Sequence, residues 1–174
     1  MIKIGNTIIE PGIKEVDQIK TRTTVRGVLI KDDLVYMLYS KLYNDYTFPG
    51  GGVKEDEDLV ETLKRELYEE IGAKEVSVSD HLGYTEELRY GISGSNSIYK
   101  QTSHYYLCDV TSFGKPNYVG RELEQGLEAK WVNIDEVIKH NELVTKEERT
   151  NSKGYQTVLV RENTVLNYIK ESLL

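Results

Sequence analysis

The 174-residue sequence has one cysteine, Cys108, so no intramolecular disulfide can form. That fits a reducing cytoplasm. No apolar run approaches the ~20 residues of a membrane span. The opening stretch, MIKIGNTIIEPG, is too polar for a secretory leader. Positive charge is in deficit. The 22 Lys and Arg against 29 Asp and Glu leave a net charge of −7 and a pI near 5.1. This excludes broad, sequence-independent binding to nucleic acid or to anionic membranes. Histidine is scarce, and His81, His104 and His140 share no metal-binding spacing. There is no internal repeat and no low-complexity tract. What is abundant is tyrosine, with 13 residues, within a composition that is 39% hydrophobic and 29% charged. Such a chain forms one globular domain over residues 1–174 with a sizeable core.

The elements follow from local pattern. Ile2, Ile4, Ile8 and Ile9 around Gly5-Asn6 read as an N-terminal hairpin, with residues 1–20 serving as an extension or a dimer arm. Residues 22–30 are β-branched and form a strand. Lys31-Asp32-Asp33 turns, and LVYMLYSK returns. Strands are expected around a bend at Gly83, again over 98–110, and over 127–132. Helices are expected from Asp135, as cap, to His140, and from 158 to 173. Polar loops fill 91–97, 112–126 and 145–154. Strands and helices mix without a regular alternation, which predicts an α/β fold, a mixed sheet between helices. Cys108 sits in a strand pattern and reads as core.

Residues 51–73, GGVKEDEDLVETLKRELYEEIGA, dominate the chain. Phe48-Pro49-Gly50-Gly51-Gly52 cannot be helix interior and reads as a loop whose backbone can approach a ligand closely. Asp58 followed by Glu61 marks a helix start. Leu59, Leu63, Leu67 and Ile71 give one apolar stripe, and Gly72 ends the helix. Glu66, Glu69 and Glu70 then share one helix face. Like charges so placed repel. A hard divalent cation reverses that sign, and Mg²⁺ favours carboxylate oxygens together with substrate phosphates. The alternative is a solvated acidic face, with Arg65 paired to Glu69.

The stretch matches G-x5-E-x7-R-E-U-x-E-E-x-G-U, with Gly51, Glu57, Arg65, Glu66, Glu69, Glu70 and Gly72 in the fixed places and U bulky and apolar. This resembles the signature of the Nudix hydrolase family. Ala73 stands where that family usually has Ile, Leu or Val. Tyr46-Thr47-Phe48-Pro49-Gly50-Gly51 is similar to the family's entry to the box, with Tyr for Trp. The resemblance implies an α/β/α sandwich, the box forming loop-helix-loop. It implies Glu57 and Arg65 as a structural pair within the catalytic motif, and Glu66, Glu69 and Glu70 as ligands of Mg²⁺ or Mn²⁺. Glu66 is also the candidate base, and a carbonyl of Gly50 or Gly51 joins the ligands. A later acid, one of Glu122, Glu124 and Glu128, completes the set, and Glu124 is the choice made here. Each taken alone reads more readily as solvated loop charge.

The implied activity is Mg²⁺-dependent hydrolysis of a nucleoside diphosphate linked to another group, by attack of a bound water on one phosphorus. A catalytically silent nucleotide sensor on the same fold is the alternative. The expected partner is a small nucleotide, with an RNA 5′ end the one nucleic-acid exception, and a homodimer is left open. Tyr90, Arg89 and Tyr118 are the candidate substrate contacts. Tyr90, 17 residues beyond Ala73, is similar to a marker of the dinucleoside polyphosphate branch. The proline that marks many ADP-ribose pyrophosphatases is absent there. Dinucleoside polyphosphates or nucleoside triphosphates are therefore expected over ADP-ribose.

Overall fold

The computed structural model describes residues 1–14, 19–91, 97–147 and 152–174. Most of the loop expected over 91–97, and residues 148–151 of the loop expected over 145–154, lie outside them. Sheet A holds β1 (Ile8–Ile9), β2 (Ile19–Val28), β6 (Ala73–Tyr90) and β7 (Ile98–Phe113), in the order β1-β6-β7-β2. It is mixed: β6 and β7 run antiparallel, while β1 lies parallel to β6 and β2 parallel to β7. Sheet B is antiparallel. There β4 (Leu34–Ser40) pairs with β3 (Ile30–Lys31), β5 (Asp45–Thr47) and β8 (Leu127–Asn133).

Period-two alternation places the core on two faces. On β4, Val35 and Met37 enter one cluster while Leu38 enters the other. On β7, Tyr105 and Cys108 divide in the same way. Helix α1 (Leu59–Ile71) covers one face through Leu63, Leu67 and Ile71. Helices α3 (Ile134–Val144) and α4 (Val158–Ser172) cover the other through Ile134, Val137, Val165, Leu166 and Ile169. This is the expected α/β/α sandwich. Among the described residues no helix is long and apolar enough to cross a membrane. Cys108 is buried in the α1 cluster, and burial pushes its thiol up to about 12.

Several elements differ from expectation. Residues 1–14 make no hairpin. Lys3 bridges to Tyr84 and β1 pairs with Glu87 and Leu88, so both isoleucine pairs line the free edge of β6 instead of each other. The single strand expected over 22–30 divides at Leu29 between the two sheets. The polar loop of 112–126 contains the short helix α2 (Arg121–Gln125). Helix α3 is capped by Asn133, whose side chain accepts from the backbone N–H groups of Asp135 and Glu136, so Asp135 lies inside the helix.

Candidate active site

The box folds as its residues dictate. Asp58 accepts from the N–H groups of Val60 and Glu61 and starts α1. Gly72, left-handed at φ 67°, ends it. The loop before the helix is held as an extra strand on the free edge of β2. Gly27 N–H donates to the Pro49 carbonyl, Val25 N–H to that of Gly51, and Val53 N–H to that of Thr23, at 2.9–3.0 Å. Gly50 needs φ 137°, and a Cβ there would lie 2.1 Å from the Val25 carbonyl oxygen. A Cβ on Gly51 would meet the Glu66 carboxylate at 2.4–2.7 Å. Glycine at both positions therefore lets the loop backbone lie directly against β2 and Glu66.

Three side chains grip this loop. From α1, the buried Glu70 accepts the Gly50 N–H at 2.6 Å. From β2, Arg26 Nη1 donates to the carbonyls of Phe48 (3.1 Å) and Gly50 (2.7 Å). From α4, the buried Glu162 accepts the Phe48 N–H at 2.8 Å. Glu162 also binds Arg161, whose Nη1 reaches Glu87 at 2.9 Å. Arg161 and Glu162 sit in a helix already explained by its apolar positions. No local pattern marks them as partners of a loop more than a hundred residues away.

Arg65 forks onto Glu57, Nε to Oε1 at 3.2 Å and Nη2 to Oε2 at 3.1 Å. Glu57 also accepts from the Lys54 N–H and the Thr62 hydroxyl. The Lys54 N–H first, then Arg65, holds the Glu57 carboxyl down at about 2. The same guanidinium reaches Glu66 Oε1 at 2.7 Å and Glu69 Oε2 at 3.5 Å. Glu70 behaves oppositely: burial raises its carboxyl to about 8, against the lowering charge of Arg26 and the Gly50 N–H, with Glu66 and Glu122 raising it further.

The carboxylates suit a hard divalent cation in kind. Their present arrangement is a different matter. Among the described residues, no three His, Cys, Asp or Glu side chains are drawn together closely enough to hold a metal ion. Arg65 supplies the positive charge here, holding Glu66 and Glu69 while Glu70 turns to Gly50.

A cleft of about 230 Å³ opens beside Glu70, Gly50 and Gly51. It places the remaining candidates. Arg89 lies in its lining and Glu122 enters it. Glu124 instead lines a second depression with Tyr43, Arg121 and Tyr155. The helical turn of α2 makes this choice, and a loop reading of 112–126 could not. Tyr118 is half-buried near Glu70 and Glu122, and burial, then those charges, pushes its phenol up to about 12. Tyr90 does not join the cleft lining: its hydroxyl donates to the Gly12 carbonyl at 3.0 Å, and Lys153 lies over its ring. Among the described residues, Tyr90 is thus engaged outside the cleft lining. His81 and His104 meet across β6 and β7, nitrogen to nitrogen at 3.0 Å, a pairing set by strand register and invisible in their spacing.

The fold and the box define a class: an α/β/α sandwich carrying an acidic loop-helix-loop beside an arginine-lined cleft. The family model described as NUDIX domain matches residues 20–154, and the chain belongs to that family, with the fold of a Nudix hydrolase. It is similar to a NUDIX hydrolase from Nitrosomonas europaea, at 17% identity and a TM-score of 0.57, over 87% of this chain and 90% of that one. It is also similar to the E. coli ORF135 protein, at 18% identity and a TM-score of 0.54, over 89% and 94%. An 8-oxo-dGTP diphosphatase of Buchnera aphidicola subsp. Schizaphis graminum is 41% identical over 59 residues, 32% of this chain. That match spans 45% of the Buchnera protein's length.

Proposed function

We propose that this protein is a Mg²⁺-dependent pyrophosphohydrolase that cleaves a nucleoside diphosphate linked to a further group, including nucleoside triphosphates and dinucleoside polyphosphates. The observation that carries this reading is the loop of residues 49–53, seated on β2 and held by Glu70 and Arg26 at the mouth of the cleft. Glu66, Glu69 and Glu70 would hold the cation, with the Gly50 carbonyl and Glu122, which line the same cleft as Glu70, as further oxygen donors; Mn²⁺ suits the same donors. A bound divalent ion supplies charge neutralisation for the diphosphate and lowers the pKa of a coordinated water.

The chain's own part is positional and electrostatic. The fork from Arg65 to Glu57 ties the loop to the helix, so Arg65 can release Glu66 and Glu69 without freeing the loop. Glu66, lying against Gly51, is placed to take the proton of an attacking water. Arg26, anchored on two loop carbonyls, brings positive charge to the diphosphate side of the cleft. The name of the Buchnera relative, a diphosphatase acting on a triphosphate, supports this substrate class. The single, buried cysteine fits a cytoplasmic enzyme.

The test is chromatographic detection of nucleoside monophosphate and its co-product, or of the 5′-monophosphate end and pyrophosphate for RNA, from a panel of nucleoside triphosphates, dinucleoside polyphosphates, nucleotide sugars and 5′-triphosphorylated RNA with Mg²⁺. Turnover of at least one class is expected. Tight nucleotide binding without turnover would favour a silent binding module instead.

A further inference from the structure

The floor of the cleft carries a feature that the box does not require. By strand register, Arg22, Thr24 and Arg26 of β2, Gln101 and Ser103 of β7, and Glu87 and Arg89 of β6 project from one face of sheet A. Further along, the same face is apolar, with Val28, Tyr105 and Leu82 under α3 and α4. At the cleft end it is polar and rich in arginine: Arg89 and Arg161 are buried, where such groups are costly unless partnered, while Arg22 is exposed in the cleft lining.

The partners are unevenly shared. Arg161, descending from α4, is taken up by Glu87 and Glu162. Arg89 is 3% exposed and gives Nη2 to Gln101 at 2.8 Å and Nη1 to the Tyr90 carbonyl. Its Nε has no acceptor among the described residues, and neither does Nε of Arg26. Arg22 makes no hydrogen bond or ion pair among the described residues, although it lines the same cleft. The guanidinium groups also repel: desolvation first, then the charges of Arg26 and Arg161, lowers the pKa of Arg22. The cleft's other carboxylates are engaged elsewhere. Asp45 accepts from the Tyr155 hydroxyl, Glu122 from the Val119 N–H, and Glu70 from Gly50. Mutually repelling cations with unused donors, set in a cleft beside a diphosphate site, match an anion that accepts several hydrogen bonds at once.

We propose that Arg22 and Arg89 form a phosphoryl subsite that takes a phosphate group beyond the diphosphate held at the box. The substrate is then a nucleoside tri- or polyphosphate and not a diphosphate capped by a neutral sugar. Gln101 serves as the positioning residue, its amide oxygen holding Arg89 while its nitrogen donates to Glu87 at 2.9 Å and Ser103 at 3.1 Å. The assignment rests on the hydrolase reading above for which bond is cut, and not for whether the anion binds.

Two experiments separate those parts. The first compares kcat/KM for a nucleoside triphosphate and a nucleoside diphosphate sugar of the same base, in wild type and Arg22→Gln, a change at an exposed position that leaves the core intact. The triphosphate is expected to be preferred, and Arg22→Gln to raise its KM by about tenfold or more while the sugar nucleotide is unaffected. Equal or better use of the sugar nucleotide by wild type, or an equal loss on both substrates, overturns the subsite. The second is calorimetric titration with inorganic tripolyphosphate without metal. Wild type should bind, and both Arg22→Gln and Arg89→Gln should bind at least about tenfold more weakly. Undiminished binding in both variants, or none in wild type, overturns the subsite whatever the turnover. Binding that follows the arginines in a protein that hydrolyses no nucleotide overturns the hydrolase reading and leaves the subsite standing.

Discussion

At the scale of single residues, the box holds two carboxyl groups with opposite fates. Glu57 meets a backbone N–H and a forked guanidinium and is held down at about 2. Glu70 is buried and raised to about 8. Their roles separate accordingly. Glu70→Gln retains an oxygen that can accept the Gly50 N–H, so the loop should stay in place, while it removes the carboxylate that Glu70 would present once a bound cation displaces its proton. Glu66→Gln removes the candidate base. Both variants keep a hydrogen-bond acceptor and should remain folded, unfolding within about 1.5 kcal/mol of wild type, yet lose about a hundredfold or more in kcat. Urea unfolding and steady-state kinetics on the same preparations check the two halves together. Arg65→Ala should differ from both. It leaves Glu57, Glu66 and Glu69 without their shared cation, so it should lower melting temperature and activity together, and added Mg²⁺ should recover part of the stability.

At the scale of elements, helix α4 does more than cover the sheet. Its Arg161-Glu162 pair joins Glu87 of β6 to the Phe48 N–H at the start of the glycine loop before α1. Removing Glu162 leaves Arg161 with one partner and Phe48 with a buried, unpaired donor. Glu162→Ala should therefore cost about 3–5 kcal/mol in chemical denaturation, with Glu162→Gln milder because it preserves an acceptor. The same network sets an acid limb. Burial works to raise the Glu87 carboxyl, but the charge of Arg161 and further lowering interactions outweigh it, so its pKa in the fold lies below the ordinary value of 4.5. Glu87 then contributes stability that is fully present above about pH 4.5 and is lost as pH falls through the lower, folded value. Stability measured from pH 6 downward should fall less steeply below about pH 4.5 in Glu87→Gln than in wild type.

At the scale of the whole molecule, the parts legible in the sequence are those whose signals are local. The apolar stripe from Leu59 to Ile71, the Asp58 cap and the Gly72 stop lie within fifteen residues, and α1 forms as they prescribe. The Glu57 and Arg65 pair is what the family resemblance implies, and the two side chains meet in the fold. The rest depends on register and long-range pairing. Ile8 and Ile9 look like half of a hairpin until the free edge of β6 is known. Glu122 and Glu124 are interchangeable until α2 turns one toward Glu70. Tyr90 has the spacing of a substrate contact, but its hydroxyl is spent on Gly12. The arginines of the cleft come from β2, β6 and α4, and only the folded sheet brings them together. They also show how a chain of net charge −7 can receive an anionic substrate, since its positive charge is concentrated where the substrate would enter.

The central claim, hydrolysis of a phosphoric anhydride at the Glu66, Glu69 and Glu70 face, is tested most directly by formation of nucleoside monophosphate and pyrophosphate from a nucleoside triphosphate. The measurement is made with Mg²⁺, with excess EDTA, and with Glu70→Gln at saturating Mg²⁺. Turnover should be present in the first case, abolished in the second and nearly abolished in the third. Full turnover in excess chelator, or near-normal turnover by Glu70→Gln, would contradict the account.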